Sequence, residues 1–237
     1  MARVLLRVHA QVSGEGDPPY LSDLRVLLVA DVLLRTAGLS GRQTLVGLGL
    51  PGDLPPDRVK ALTRDAELLG THPAAAVAPS PDLAAALGGP TDIHISTTPN
   101  PTDAETDTPH IDVGPAQGPA ALPADPLALR LALLDLAPAE PADLTPDTLA
   151  DAARTLAHWR RRVADWAREP SHAAHAESVR TARARYAAGL DTPAVLDLLR
   201  RLDQTDEADE VPAGSKFETF VHLDRVLGLE LARDIGY

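Results

Sequence analysis

The chain has 237 residues, room for one large domain or two small ones that bury about 70% of the unfolded surface. Its net charge of -12, from 22 Lys and Arg against 34 Asp and Glu, argues against adhesion to anionic membranes and against broad nucleic-acid binding. No DNA partner is expected, and any RNA contact has to be local. The absence of cysteine excludes disulfides, thiolate zinc sites and a catalytic thiol, while an apolar fraction of 44% with only 3% aromatics makes Ala, Leu and Val the packing material.

The first nine residues carry charge at Arg3 and Arg7 but too short an apolar stretch for a secretory core, so the chain reads as cytoplasmic. Residues 3–12 alternate through Val4, Leu6, Val8 and Val12, which predicts a strand ended by the Gly- and Pro-rich breaker at 13–19. A helix is expected over 23–36, stopped by Gly38 and Gly41, and a second strand over 43–50. The longest apolar run, 26–34, is interrupted by Asp31 and falls short of the roughly 18 residues a membrane span needs. Pro55-Pro56-Asp57 opens a helix closed by Gly70. A short helix at 82–87 and a brief strand at 92–96 complete a β-α-β-α-α-β half.

From 97 to 124 the composition turns to Pro, Thr, Asp and Gly without apolar periodicity, the character of a linker or exposed loop. Beyond it, helices are expected at 126–136, 145–168, 172–189, 192–202 and 216–232. In the second of these, Leu149, Ala152, Leu156, Trp159, Val163 and Trp166 form one seam for burial. The expected organisation is therefore a shortened α/β parallel-sheet domain of Rossmann-like, nucleotide-binding type at 1–96, a linker at 97–124 and an all-α bundle at 125–237.

The stretch Leu190-Asp191-Thr192-Pro193-Ala194-Val195-Leu196, the run from Val211 to Phe220 through Pro212-Ala213-Gly214-Ser215-Lys216, and Leu223-Asp224-Arg225-Val226-Leu227-Gly228-Leu229 together resemble the helical anticodon-binding domain of cysteinyl-tRNA synthetases and of the related mycothiol-pathway cysteine ligases. Residues 125–134 resemble the segment joining the class I catalytic core to that domain. In the first half the resemblance is carried by 25–35 and by Thr91-Asp92-Ile93-His94. It implies a class I core that binds ATP, but the parts that do chemistry differ. Tyr20, Ser22 and Asp23 stand at the nucleotide-binding position where the family has its His-Ile-Gly-His-type signature. No Lys or Arg lies in 114–123, where the family's Lys-Met-Ser-Lys-Ser loop is expected, so transition-state charge would go unstabilised. The thiolate-selecting zinc ligands are absent, so no metal site is expected.

Asp92, His94 and His110, with Asp112, are the remaining candidates for chemistry, set against a plain role as hydrogen-bonded loop residues. His9 and His72 read as structural, and His172 with His175 and Glu177 as a solvent-facing helix start. Residues 154–185 hold eight arginines against three carboxylates. On the heptad defined by the seam, Arg154, Arg161 and Arg168 fall at the outermost position, where a guanidinium stripe meets either solvent or RNA phosphates. The expected function is a truncated, synthetase-like paralogue that lacks aminoacylation and binds tRNA, a synthetase or another protein. The alternative is an ATP-dependent amino-acid-activating or aminoacyl-transferring ligase with a remodelled pocket, ATP being the cofactor it would use.

Overall fold

The computed structural model describes residues 5–15, 20–97, 108–119, 121–205 and 211–236. Parts of the expected breaker at 13–19 and linker at 97–124 lie outside these residues, as do the first four residues of the chain. The chain divides into two compact units, residues 1–126 with 138–146, and residues 127–137 with 147–237.

The first unit is built on a five-stranded sheet. Strand β1 (Leu5–Gln11) leads into helix α1 (Leu21–Leu39), followed by β2 (Gln43–Leu50), α2 (Pro56–Leu68), β3 (Ala76–Pro79), a 3-10 turn (Ser80–Asp82), α3 (Leu83–Ala86), β4 (Ile93–Ser96) and β5 (His110–Asp112). The strand order is β3-β2-β1-β4-β5 and every pairing is parallel, the order of a Rossmann-like doubly wound sheet. β1 alternates as its sequence requires. Val8 and Ala10 are fully buried on one face, and His9 points to the other. Helix α1 packs on β1, β2 and β4, while α3 packs on β2 and β3. A Cβ on Gly47 of β2 would meet Leu83 and Leu87, so this glycine lets the α3 segment close on the sheet.

Sequence periodicity did not reveal β3, β5, β6 (Ala116–Gln117) or β7 (Ala142–Asp143). Each is two to four residues long, too short to show a period, and is held by pairing: β3 by β2, β5 by β4, and β6 by β7. The stretch expected as a linker thus carries β5 and β6. After helix α4 (Pro126–Leu134), residues 138–146 return to the first unit and supply β7, so the helical half is interrupted in sequence.

The second unit comprises α4, α5 (Pro146–Trp166), α6 (Ala176–Ala187), α7 (Thr192–Gln204) and α8 (Ala213–Leu227). All six residues of the α5 seam are buried. Phe220 of α8 meets Trp159 and Trp166 edge-on, with ring centroids 5.9 and 5.1 Å apart. Asp191 caps α7 by accepting from the Ala194 amide at 3.1 Å. Helix α8 stops at Gly228, whose φ of 63° is left-handed, ahead of the expected end at 232. The motif before it is structural throughout. A Cβ on Gly214 would overlap the Pro170 carbonyl oxygen, Ser215 Oγ donates to the Ala173 oxygen at 2.7 Å, and the buried Lys216 donates to the Thr205 oxygen. Among the described residues no helix is long and apolar enough to cross a membrane.

Candidate functional site

In a doubly wound sheet, ligands bind beyond the carboxyl ends of the strands where the strand order reverses, and phosphates are received by amides of the loop after β1 and by the start of the next helix. Here the reversal lies between β1 and β4. The loop after β1 brings the Ser13 and Gly14 amides to the head of α1, where both are taken by one carboxylate. Asp23, almost fully buried, accepts from Ser13 N at 2.9 Å and Ser13 Oγ at 3.2 Å through Oδ1, and from Gly14 N at 3.0 Å through Oδ2. An internal anion thus occupies two of the amides of this loop, those of Ser13 and Gly14. Gly14 is left-handed (φ 69°), a conformation that strains other residues, and a Cβ there would displace the Leu54 side chain.

The other residues at this position are similarly engaged. Tyr20 precedes α1 in a left-handed conformation (φ 50°). Its hydroxyl accepts from Arg58 Nε at 2.6 Å, and the same guanidinium lies 4.5 Å from the centre of its ring. Ser22 Oγ accepts from the Ala116 amide at 3.0 Å and donates to the Ala116 oxygen at 3.3 Å, fastening β6 to α1.

Burial is the largest influence on Asp23 and raises its pKa above the ordinary 3.8, with Glu15 adding a smaller push. The Ser13 and Gly14 hydrogen bonds oppose the rise. The folded chain therefore holds this proton more tightly than the unfolded chain. Its contribution to stability grows as pH falls through the raised folded value toward 3.8 and is lost as pH rises. Asp23→Asn removes the titration, so the stability of the wild type relative to the variant is expected to increase between pH 7 and about pH 4 in urea unfolding. A constant difference over that range would show that Asp23 is not strained by burial.

Asp92 stands at the opposite, amino-terminal end of the sheet. Its Oδ2 accepts from the Arg7 amide at 2.9 Å and its own amide donates to the Arg7 oxygen at 2.8 Å, completing the β1–β4 edge. His94 lies within β4, its Nε2 2.6 Å from Thr91 Oγ1. The register aligns His9, His94 and His110 across β1, β4 and β5 on one face, with the His9 and His94 ring centroids 4.7 Å apart. His110 Nε2 is 3.0 Å from Ser96 Oγ and its Nδ1 3.1 Å from the exposed Asp112. The structure therefore brings His94 and His110 together with His9, while Asp92 serves the far edge of β1. No group of three His, Asp or Glu side chains is arranged to hold a metal ion among the described residues.

The arginine interval divides. Arg160 is buried and donates to the Leu229 and Glu230 oxygens at 3.0 and 3.3 Å, and Arg162 pairs with Asp203 at 3.1 Å while covering Trp166. Arg154 pairs with Asp151, and Arg185 with Asp191 at 3.5 Å. Arg161 is exposed on α5 with its Nε on the Ala157 oxygen, whereas Arg168 is exposed in the turn beyond the helix. Arg180 and Arg183 are exposed on α6. At the start of α6, His175 Nδ1 is 2.8 Å from Ser178 Oγ and its amide donates to Thr219 Oγ1 at 2.8 Å.

Sequence reading passed over one cluster. Asp31, buried in α1, holds His72 through Oδ1, at 2.6 Å from Nδ1 and 3.0 Å from the amide nitrogen, and Arg35 Nε through Oδ2 at 2.8 Å. Arg35 also donates to the Gly70 oxygen at 2.7 Å. The signal available was a carboxylate inside an otherwise apolar helical run, since a buried charge needs partners. The sequence matches no protein-family model and no curated protein.

Proposed function

We propose that the chain is a binding protein on a synthetase-like scaffold that does not activate amino acids, with tRNA or a protein such as a synthetase as its partner. The observation that carries this reading is the Asp23 carboxylate on the Ser13 and Gly14 amides. An ATP phosphate placed there meets a like charge and finds the Ser13 and Gly14 amides taken, and 114–119 and 121–123 offer no cation in compensation. Arg161, Arg168, Arg180 and Arg183 supply the exposed positive charge that a polyanion would use.

Amino-acid-dependent exchange of pyrophosphate into ATP, run with cysteine and with a pool of other amino acids, is expected to stay at background. The RNA arm is read by filter binding of bulk tRNA at low salt. Arg161→Ala and Arg168→Ala are expected to weaken binding and to lower the salt slope by about 1 for each phosphate that goes unneutralised. Undetectable tRNA binding at low salt overturns that arm and leaves the protein partner.

The second reading, an amino-acid-activating or aminoacyl-transferring ligase, draws on the alignment of His94 and His110 with His9 beside Ser96. Exchange above background that is abolished by His94→Ala would put it in place of the first.

A further inference from the structure

The polar face of the sheet continues past the histidine row to the carboxyl ends of β4 and β5. Ser96 is the last residue of β4 and Asp112 the last of β5, and the parallel register pairs them as it pairs His94 with His110. Side chains two residues apart on a strand share a face, so Ser96, His110 and Asp112 stand together on that one. They lie toward the carboxyl ends of strands beside the reversal of strand order between β1 and β4, the place where open α/β sheets bind ligands. Ser96 is 5% exposed, whereas Asp112 faces solvent.

The contacts run in one direction through the three residues. Asp112 Oδ1 lies 3.1 Å from His110 Nδ1, and His110 Nε2 lies 3.0 Å from Ser96 Oγ. In the neutral imidazole the carboxylate charge favours the proton on Nδ1, which leaves the Nε2 lone pair to accept from the Ser96 hydroxyl. A serine hydroxyl is a weak nucleophile until a base within hydrogen-bond reach takes its proton, and a carboxylate beyond the base stabilises the imidazolium that then forms. Ser96 stands in His94-Ile95-Ser96-Thr97, without the flanking glycines of a strand-to-helix nucleophile turn, so strand register rather than a local motif assembles the group.

We propose that Ser96, His110 and Asp112 form an acyl-transfer site that hydrolyses short-chain carboxylic esters, with Ser96 as nucleophile, His110 as general base and Asp112 as the positioning residue. Ser96 Oγ bonds to the ester carbonyl carbon as its proton passes to His110 Nε2. The bond from that carbon to the alcohol oxygen breaks, and the alcohol departs with the proton. Water then adds to the acyl-serine, giving a proton to His110 Nε2, and the carboxylic acid leaves as this proton returns to Ser96 Oγ. The balance is ester and water to acid and alcohol, with no nucleotide consumed. The burial of Ser96 favours a small acyl group. This activity goes beyond the binding reading, requires neither the β1–α1 loop nor the exposed arginines, and differs from the ligase reading in needing no ATP.

The test treats the full chain with two kinds of probe. Diisopropyl fluorophosphate is expected to modify Ser96, its phosphorus bonding to Oγ as fluoride leaves, with the adduct located by peptide mass spectrometry. p-Nitrophenyl acetate is expected to be turned over, and p-nitrophenyl octanoate more slowly. Ser96→Ala is expected to abolish both the labelling and the turnover, and His110→Ala to slow both by about a hundredfold. Asp112→Asn, at an exposed position that folding tolerates, is expected to lower kcat about fivefold at constant KM, with Asp112→Glu recovering part of the loss. No adduct on Ser96, acetate turnover unchanged in Ser96→Ala, octanoate turned over faster than acetate, or kcat unchanged in Asp112→Asn would each overturn the proposal.

Discussion

Arg25→Ala is expected to destabilise the α/β unit by about 3–5 kcal/mol, because it removes a buried cation and leaves the oxygens that it served without a donor. Arg25 is 1% exposed in the second turn of α1, and its Nη1 donates to the Gly114 oxygen at 3.0 Å and to the Glu140 oxygen. Burial lowers its pKa and the Glu140 charge opposes that change, so the group depends on this one neighbourhood. The two oxygens belong to segments that lie 89 and 115 residues further along the chain. A Cβ on Gly114 would overlap the Glu140 carbonyl, so the 114 and 140 segments are pressed together where the guanidinium joins them.

The loss is read most directly by hydrogen exchange at Gly114 and Ala116, whose amides bond to the Pro138 oxygen and to Ser22 Oγ. Both amides are expected to exchange about two to three orders of magnitude faster in the variant. Arg25→Met, which restores volume but no donor, is expected to recover only the packing part. Unchanged protection in Arg25→Ala would show that these segments are held by other interactions.

Arg130→Ala is expected to be comparably severe in the helical unit, at about 3–5 kcal/mol. Arg130 is fully buried in α4, and its Nε donates to the oxygen of Leu227, the last residue of α8. The carbonyls at a helix end have no partner within the helix and carry its negative pole, so a guanidinium there satisfies both needs. Just beyond, Arg160 takes the Leu229 and Glu230 oxygens, and Asp224 takes the Leu229 and Leu231 amides at 2.7 and 2.9 Å. Leu227, Leu229 and Leu231 are fully buried, so loosening this junction exposes them together. Both tryptophans lie on α5 against Phe220 of α8, and their fluorescence follows this unit selectively. A fall in the urea midpoint is expected for Arg130→Ala, with Arg161→Ala, an exposed position, within about 0.5 kcal/mol of the wild type. Equal midpoints for the two variants would remove Arg130 from the helix-end role.

Much of the framework was legible along the chain. The α5 seam from Leu149 to Trp166 has a helical period over six positions, and all six are buried. The strands at 5–11 and 43–50 and the helices around Pro56 and Thr192 announced themselves through alternation, proline and glycine. β3, β5, β6 and β7 did not, because a segment of two to four residues carries no period and takes its conformation from its partner strand. The return of 138–146 to the first unit was hidden for the same reason.

The candidate site divides along a similar line. Tyr20, Ser22 and Asp23 could be named from the sequence, but not that Asp23 would take the Ser13 and Gly14 amides, Tyr20 hold Arg58, and Ser22 grip Ala116. Asp92 and His94 are two residues apart, yet one edges β1 and the other joins a row with His9 and His110 through strand register.

Local composition and periodicity by themselves determined the helices, the two long strands and the buried seam, because each depends on neighbours within a few residues. Tertiary structure alone decided which charges are spent inside the protein. Arg25, Arg130 and Asp23 look like ordinary polar residues until the fold brings them their partners, and only burial turns those hydrogen bonds into a requirement of the fold.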